Sequence, residues 1–162
     1  MKSPVFILLL STLLSTTVRA QQLEPITTGA IATTQRDSRS CNFIDLNDDG
    51  FDDIFITNGP SGGQNNQLFL SNGDGTFTSV SDDPIVQDQG ASDGASFGDV
   101  DNDGDLDAFV VTWYGERNYF YRNNGDGSFS FEASTAHSGS GTFSETCSWG
   151  DYDQDGWLDL CV

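Results

Sequence analysis

An aspartate-rich loop occurs three times in this chain, beginning at Asp45, Asp99 and Asp151, with spacings of 54 and 52 residues. The copies read Asp45-Leu46-Asn47-Asp48-Asp49-Gly50-Phe51-Asp52-Asp53, Asp99-Val100-Asp101-Asn102-Asp103-Gly104-Asp105-Leu106-Asp107 and Asp151-Tyr152-Asp153-Gln154-Asp155-Gly156-Trp157-Leu158-Asp159. Seven residues ahead of each stands a serine: Ser38, Ser92 and Ser144. A second motif, Asn66 to Phe77, returns as Asn118 to Phe129 at a spacing of 52, and each copy starts 33 residues before the next aspartate loop. The length difference therefore falls in one loop, Pro60-Ser61-Gly62-Gly63 in the first copy and Trp113-Tyr114-Gly115-Glu116-Arg117 in the second. Length variation confined to a loop predicts stacked copies of one structural unit.

The unit is β. Glycine and Asn/Asp clusters cut the chain every dozen residues or so, and the runs between them are rich in Ile, Val, Phe and Thr. Gly73-Asp74-Gly75 and Gly125-Asp126-Gly127 read as hairpin turns. Ile54-Phe55-Ile56 and Ala108-Phe109-Val110-Val111 are apolar on both faces, which predicts strands buried between stacked sheets. Each copy is expected to form a four-stranded antiparallel sheet, the blade of a β-propeller.

The loops point to calcium. Loop positions 1, 3, 5 and 9 carry Asp45, Asn47, Asp49 and Asp53, then Asp99, Asp101, Asp103 and Asp107, then Asp151, Asp153, Asp155 and Asp159. Alternate side chains in a tight turn converge, and Gly at position 6 permits the reversal that returns position 9 to the front. The main-chain carbonyl at position 7 (Phe51, Asp105, Trp157) adds an oxygen. With water, this makes the six to eight hard oxygen ligands that calcium takes, whereas magnesium demands a tighter octahedron. About three calcium sites are expected. An EF-hand needs Glu at position 12, where this chain has Ile56, Val110 and Val162.

These residues resemble the FG-GAP/VCBS repeat family, with Phe97-Gly98 as its Phe-Gly and Asn66 to Phe77 similar to its VCBS portion. The first copy departs from the pattern with Ile44 where the second has Gly98. The resemblance covers about residues 38–162. It implies a β-propeller blade with a calcium loop, in proteins such as integrin α-subunits, lectin-like proteins and some polysaccharide lyases, which recognise proteins or sugars outside the cell.

Lys2, the apolar run Val5 to Leu14 and Val18-Arg19-Ala20 read as an export signal over 1–20, too short to span a bilayer. Residues 21–37 are then a lead-in and 38–162 the repeats. Cleavage removes two of the six basic residues and leaves 4 against 25 acidic ones. Such a chain repels nucleic acid and anionic membrane surfaces, and no segment here is expected to insert in a membrane. The mature chain has no lysine, which excludes Schiff-base chemistry and a P-loop. No Ser-His-Asp spacing or nucleophile elbow occurs, and His137 reads as an exposed loop residue. Burial is the expected state of Cys41, and with Cys147 and Cys161 the cysteine count is odd.

A propeller needs 4 to 8 blades, and four at this repeat length need roughly 210 residues, so the chain is expected to be an N-terminal fragment of an incomplete propeller. The reading is a secreted calcium-binding, adhesion-type module for an extracellular protein or glycan. The alternative is the propeller part of a polysaccharide lyase or hydrolase, with paired carboxylates. Trp113, Tyr114, Glu116 and Arg117 form the candidate ligand surface, since aromatics with charge on a loop stack on sugars or anchor proteins.

Overall fold

The computed structural model describes residues 25–133 and 143–162; the export signal and His137 lie outside them. After a one-turn helix, α1 (Ala30–Thr33), come ten strands: β1 (Ser38–Ile44), β2 (Asp53–Asn58), β3 (Gln67–Ser71), β4 (Phe77–Val80), β5 (Ser92–Gly98), β6 (Asp107–Thr112), β7 (Tyr119–Asn123), β8 (Phe129–Phe131), β9 (Ser148–Gly150) and β10 (Asp159–Cys161). β1 to β4 form one four-stranded antiparallel sheet in chain order, and β5 to β8 form a second. β9 and β10 pair as the third copy's two described strands. These are the expected blades, and among the described residues no sheet closes into a barrel.

Alternation along the strands builds the stack. All six residues of β6 are buried. Its Ala108 and Val110 join Phe55, Leu68, Tyr121 and Phe129 in a core between the first two blades. Its Phe109 and Val111 join Phe120, with Trp149 and Leu160 of the third blade packed against them. Ala108 to Val111 of β6 are apolar at every position because both faces are buried, which is why the period-2 pattern vanishes there, and the buried Asp107 and Thr112 at its ends are hydrogen-bonded.

Hydrogen bonds repeat with the copies. Asn66 Oδ1 accepts from Asn58 N at 3.0 Å, and Asn118 Oδ1 accepts from Thr112 N at 2.9 Å. Each amide then donates to the serine opening the next blade, Asn66 to Ser92 at 3.2 Å and Asn118 to Ser144 at 3.4 Å. Ser92 and Ser144 are thus inter-blade clips, while Ser38 donates to Asn58 Oδ1 at 3.0 Å within its own sheet.

The lead-in repeats too. α1 begins 54 residues before the 3-10 turn Pro84–Val86. Asp37 N donates to Gln64 Oε1 and Ala91 N to Glu116 Oε2, both at 3.0 Å. Residues 30–37 therefore correspond to the inter-blade connection at 84–91.

Cys41 corrects an expectation: it is exposed, not buried. It shares a face of the first sheet with Phe43, which is 68% exposed. That face points away from the second blade, so no core forms over either side chain. Cys147 is half-buried against Phe109, and burial pushes its thiol up to about 11. All three thiols are free. Among the described residues no helix is long and apolar enough to cross a membrane.

Candidate functional site

The three aspartate loops share one internal geometry. Position 1 accepts two backbone N–H groups each time: Asp45 from Asp49 and Gly50, Asp99 from Asp103 and Gly104, Asp151 from Asp155 and Gly156, at 2.8–3.2 Å. Position 5 accepts from position 7 at 2.9, 3.0 and 2.9 Å. Asp48, Asn102 and Gln154 at position 4 have φ of 53°, 61° and 63°, and Gly50, Gly104 and Gly156 at position 6 have φ of 86°, 99° and 92°. Glycine serves at position 6 because that backbone strains any other residue.

Position 9 anchors the loop to its sheet. Asp53 is fully buried, and its carboxylate accepts from Leu46 N at 3.1 Å and Ser71 N at 2.8 Å. Asp107 accepts from Asn123 N at 2.9 Å, and Asp159 from Tyr152 N at 2.8 Å. Burial first, then the neighbouring carboxylates, raises the pKa of Asp53; burial likewise raises that of Asp107. Asp53 has no cation among the groups that shift it, whereas the Arg122 guanidinium partly offsets the rise at Asp107.

Carboxylate oxygens of Asp99, Asp101 and Asp103 lie within 4.8 Å of one another, as do those of Asp151, Asp153 and Asp159. The first loop offers Asp45, Asn47, Asp49 and Asp53, with Asn47 donating to Asp49 at 3.1 Å. Phe51 and Trp157 at position 7 are 49% and 53% exposed, the Phe51 ring lying over Gly73, and neither side chain carries an oxygen, so position 7 can contribute only its main-chain carbonyl in these loops. An all-oxygen, anionic donor set fits a hard divalent cation, calcium before magnesium or zinc.

The candidate ligand surface divides. It lies at the opposite end of the blades from the aspartate loops, because the β2–β3 and β6–β7 connections leave an antiparallel meander at the other side. Trp113 and Tyr114 line a cleft of about 240 Å³ with Arg39, Asp93 and Glu145. Arg117 lies in another, of about 370 Å³, with Asp88, Tyr119, Tyr121 and Phe131. Its guanidinium sits 4.7 Å over the Phe131 ring and 5.5 Å over Tyr119. Glu116 does the clip's work that Gln64 does in the first copy. Asp88 accepts from Tyr121 Oη at 3.1 Å and Asn66 Nδ2 at 2.9 Å, and burial raises it to about 6.

Stacked antiparallel blades, each with an aspartate loop between its first two strands, define a propeller-type repeat protein. The family model of the FG-GAP-like repeat matches residues 45–110 and 108–162, and the chain belongs to that family. Repeats of this kind are found in extracellular adhesion and propeller proteins. No curated protein and no solved structure matches the chain.

Proposed function

We propose that the chain is a secreted, calcium-binding recognition module, non-catalytic in itself, that binds an extracellular protein or glycan. The observation that carries the reading is the threefold loop. Three copies present the same backbone turn and the same bonds at positions 1 and 5, and the second and third gather carboxylate oxygens that repel one another unless a cation joins them. Each loop takes one calcium ion, through Asp45, Asn47, Asp49 and Asp53, through Asp99, Asp101, Asp103 and Asp107, and through Asp151, Asp153, Asp155 and Asp159, with a position-7 carbonyl in each. Ions that bind only the folded chain stabilise it by mass action. Adhesion-type recognition then belongs to the opposite end, where side chains vary between copies on a calcium-stiffened scaffold.

Titration calorimetry of the chelated protein with calcium tests this, with a stoichiometry near three expected and a lower melting temperature in excess chelator. A stoichiometry of zero with an unchanged melt would overturn it.

A further inference from the structure

We infer that Asn123 couples the first aspartate loop to the second, so that the pair binds calcium cooperatively. This rests on the calcium reading of the loops and goes beyond it, because unlinked sites would satisfy that reading equally well.

A buried hydrogen-bonded chain joins the two loops. Leu46 N donates to Asp53 Oδ2 at 3.1 Å. Leu46 O accepts from Asn123 Nδ2 at 2.9 Å, across the junction between the first two blades. Asn123 N donates to Asp107 Oδ1 at 2.9 Å. The ends of the chain, Asp53 and Asp107, occupy position 9 of the first and second loops. Asp53, Leu46, Asn123 and Asp107 are all buried. Two residues, Leu46 and Asn123, therefore join a candidate ligand of one ion to a candidate ligand of the next.

The Asn123 amide is held at every corner. Its Nδ2 also donates to Leu106 O at 3.3 Å, and its Oδ1 accepts from Gly125 N at 2.9 Å. Both of its donors and its acceptor are engaged, which fixes the orientation of the amide. The second blade's hairpin closes on the first loop beside it, where a Cβ at Gly127 would come 3.2 Å from Asn47 Cβ.

The blade itself does not call for this side chain. The first copy has Ser71 in place of Asn123. Ser71 N makes the same backbone bond to its own position 9, Asp53 Oδ1, at 2.8 Å. The backbone bond is thus common to both copies, and the side-chain reach to the neighbouring loop is peculiar to Asn123.

Position 9 occurs in two arrangements, which gives the chain something to transmit. Asp159 stands within 4.8 Å of Asp151 and Asp153, whereas the second loop gathers Asp99, Asp101 and Asp103 while Asp107 Oδ2 lies 2.8 Å from Arg122 Nη1. Asp107 leaves Arg122 to serve its own loop, and Asn123 N is bonded to that same carboxylate. Asn123 Nδ2 carries the adjustment to Leu46, and Leu46 N carries it to Asp53. A first loop already ordered holds Leu46 O in place and lowers the cost of ordering the second, and the reverse holds by linkage. Repulsion between two bound cations has the opposite sign and is screened by salt. Positive coupling at physiological salt is therefore the signature of the bonded chain.

Calorimetric calcium titration of the full chain at physiological salt tests this, with Asp155→Ala silencing the third loop throughout. Adding Asp103→Ala leaves the first loop alone, adding Asp49→Ala leaves the second alone, and Asp155→Ala by itself leaves both. The pair should bind more tightly than the product of the single affinities by about fivefold or more. Asn123→Ser should bring that ratio close to one while each single loop still binds. A merely structural role would lower the single affinities and leave the ratio unchanged. Amide exchange gives a second reading that needs no change at Asn123. In the Asp49→Ala, Asp155→Ala protein, calcium should slow exchange of the Leu46 N–H by about fivefold more than that of the Asn58 N–H, at the far end of the same blade. A ratio of one in the Asp155→Ala protein, a ratio that survives Asn123→Ser, or equal slowing of the two amides would overturn the inference. Absence of binding by every variant, Asp155→Ala included, would instead indict the calcium reading beneath it.

Discussion

Arg122 Nη1 lies 2.7 Å from Asp101 Oδ2 and 2.8 Å from Asp107 Oδ2, so the second aspartate loop carries its own cation. The equivalent residue in the first copy is Leu70. Asp107 correspondingly stays outside the cluster of Asp99, Asp101 and Asp103, whereas Asp159 joins Asp151 and Asp153.

A resident guanidinium competes with a divalent ion for the same oxygens. Arg122→Leu should therefore raise the calcium affinity of the second loop, by about tenfold for roughly 1.4 kcal/mol of relieved repulsion. It should also lower the melting temperature in chelator, because Asp101 and Asp107 lose their partner. Calorimetry and paired melts read both effects. An affinity unchanged or weakened by the substitution would show that Arg122 supports the metal site.

Positions 5 and 9 should fail differently. Asp53→Ala strands the buried N–H groups of Leu46 and Ser71. It should cost roughly 2–4 kcal/mol even in chelator. Asp49 is exposed and accepts from Phe51 N and from Asn47 Nδ2, both within its own loop. Asp49→Ala should stay within about 1 kcal/mol of the parent in chelator and fall behind only when calcium is present. Denaturant unfolding with and without calcium separates the two.

The order of blades and loops was legible because it rests on local chemistry: Gly at a left-handed turn, aspartates at alternate positions, apolar runs where sheets stack. What repeats in kind is visible in a line of text. Arg39 and Asp93 escaped because they repeat in place but not in kind, and their bulges belong to the backbone register. Glu116 was read as a ligand residue, yet Gln64 at the same repeat position signals a shared structural bond. Arg122 gave no sign, since a strand residue reaches the loop only through the hairpin that brings β7 beside β6.

Asp88 ties the pH dependence to the first blade junction. Its pKa is raised to about 6, chiefly by burial, above an ordinary value of 3.8. The folded chain then holds this proton more tightly than the unfolded chain does. The associated stability is fully present below about pH 4 and is lost as pH rises through about 6. Asp88→Asn removes the titration. In saturating calcium, the parent's stability relative to Asp88→Asn should fall between pH 4.5 and pH 7, by on the order of 2 kcal/mol. Denaturant unfolding at the two pH values measures it, and an unchanged difference would place the titration elsewhere.

The Phe-Gly dipeptide can be read from both of its sides. Phe97 meets Phe55 of the first blade edge-on at 5.6 Å. Gly98 faces the third blade, where a Cβ would come 3.0 Å from Trp149 Cδ1 and 2.9 Å from Leu158 Cδ1. The first copy has Ile44 in place of Gly98, the repeat puts Phe97 where the next junction has Trp149, and Ile44 and Phe97 both pack against the core between the first two blades. A small residue thus faces a large ring at one junction, and a large residue shares its core with a smaller ring at the other. Gly98→Ile alone should overpack the junction and cost about 1–3 kcal/mol. Trp149→Phe alone should cost about 1–2 kcal/mol, through lost volume and the lost bond from Trp149 Nε1 to Ser96 O at 3.3 Å. Together they rebuild the first junction at the second, so the double variant should be more stable than the sum of the singles implies, by about 1 kcal/mol or more. A double-mutant cycle by denaturant unfolding in saturating calcium gives the coupling directly. Strict additivity would mean that the two positions relax independently, and the exchange of Gly98 for Ile44 would then need a cause outside the blade junction.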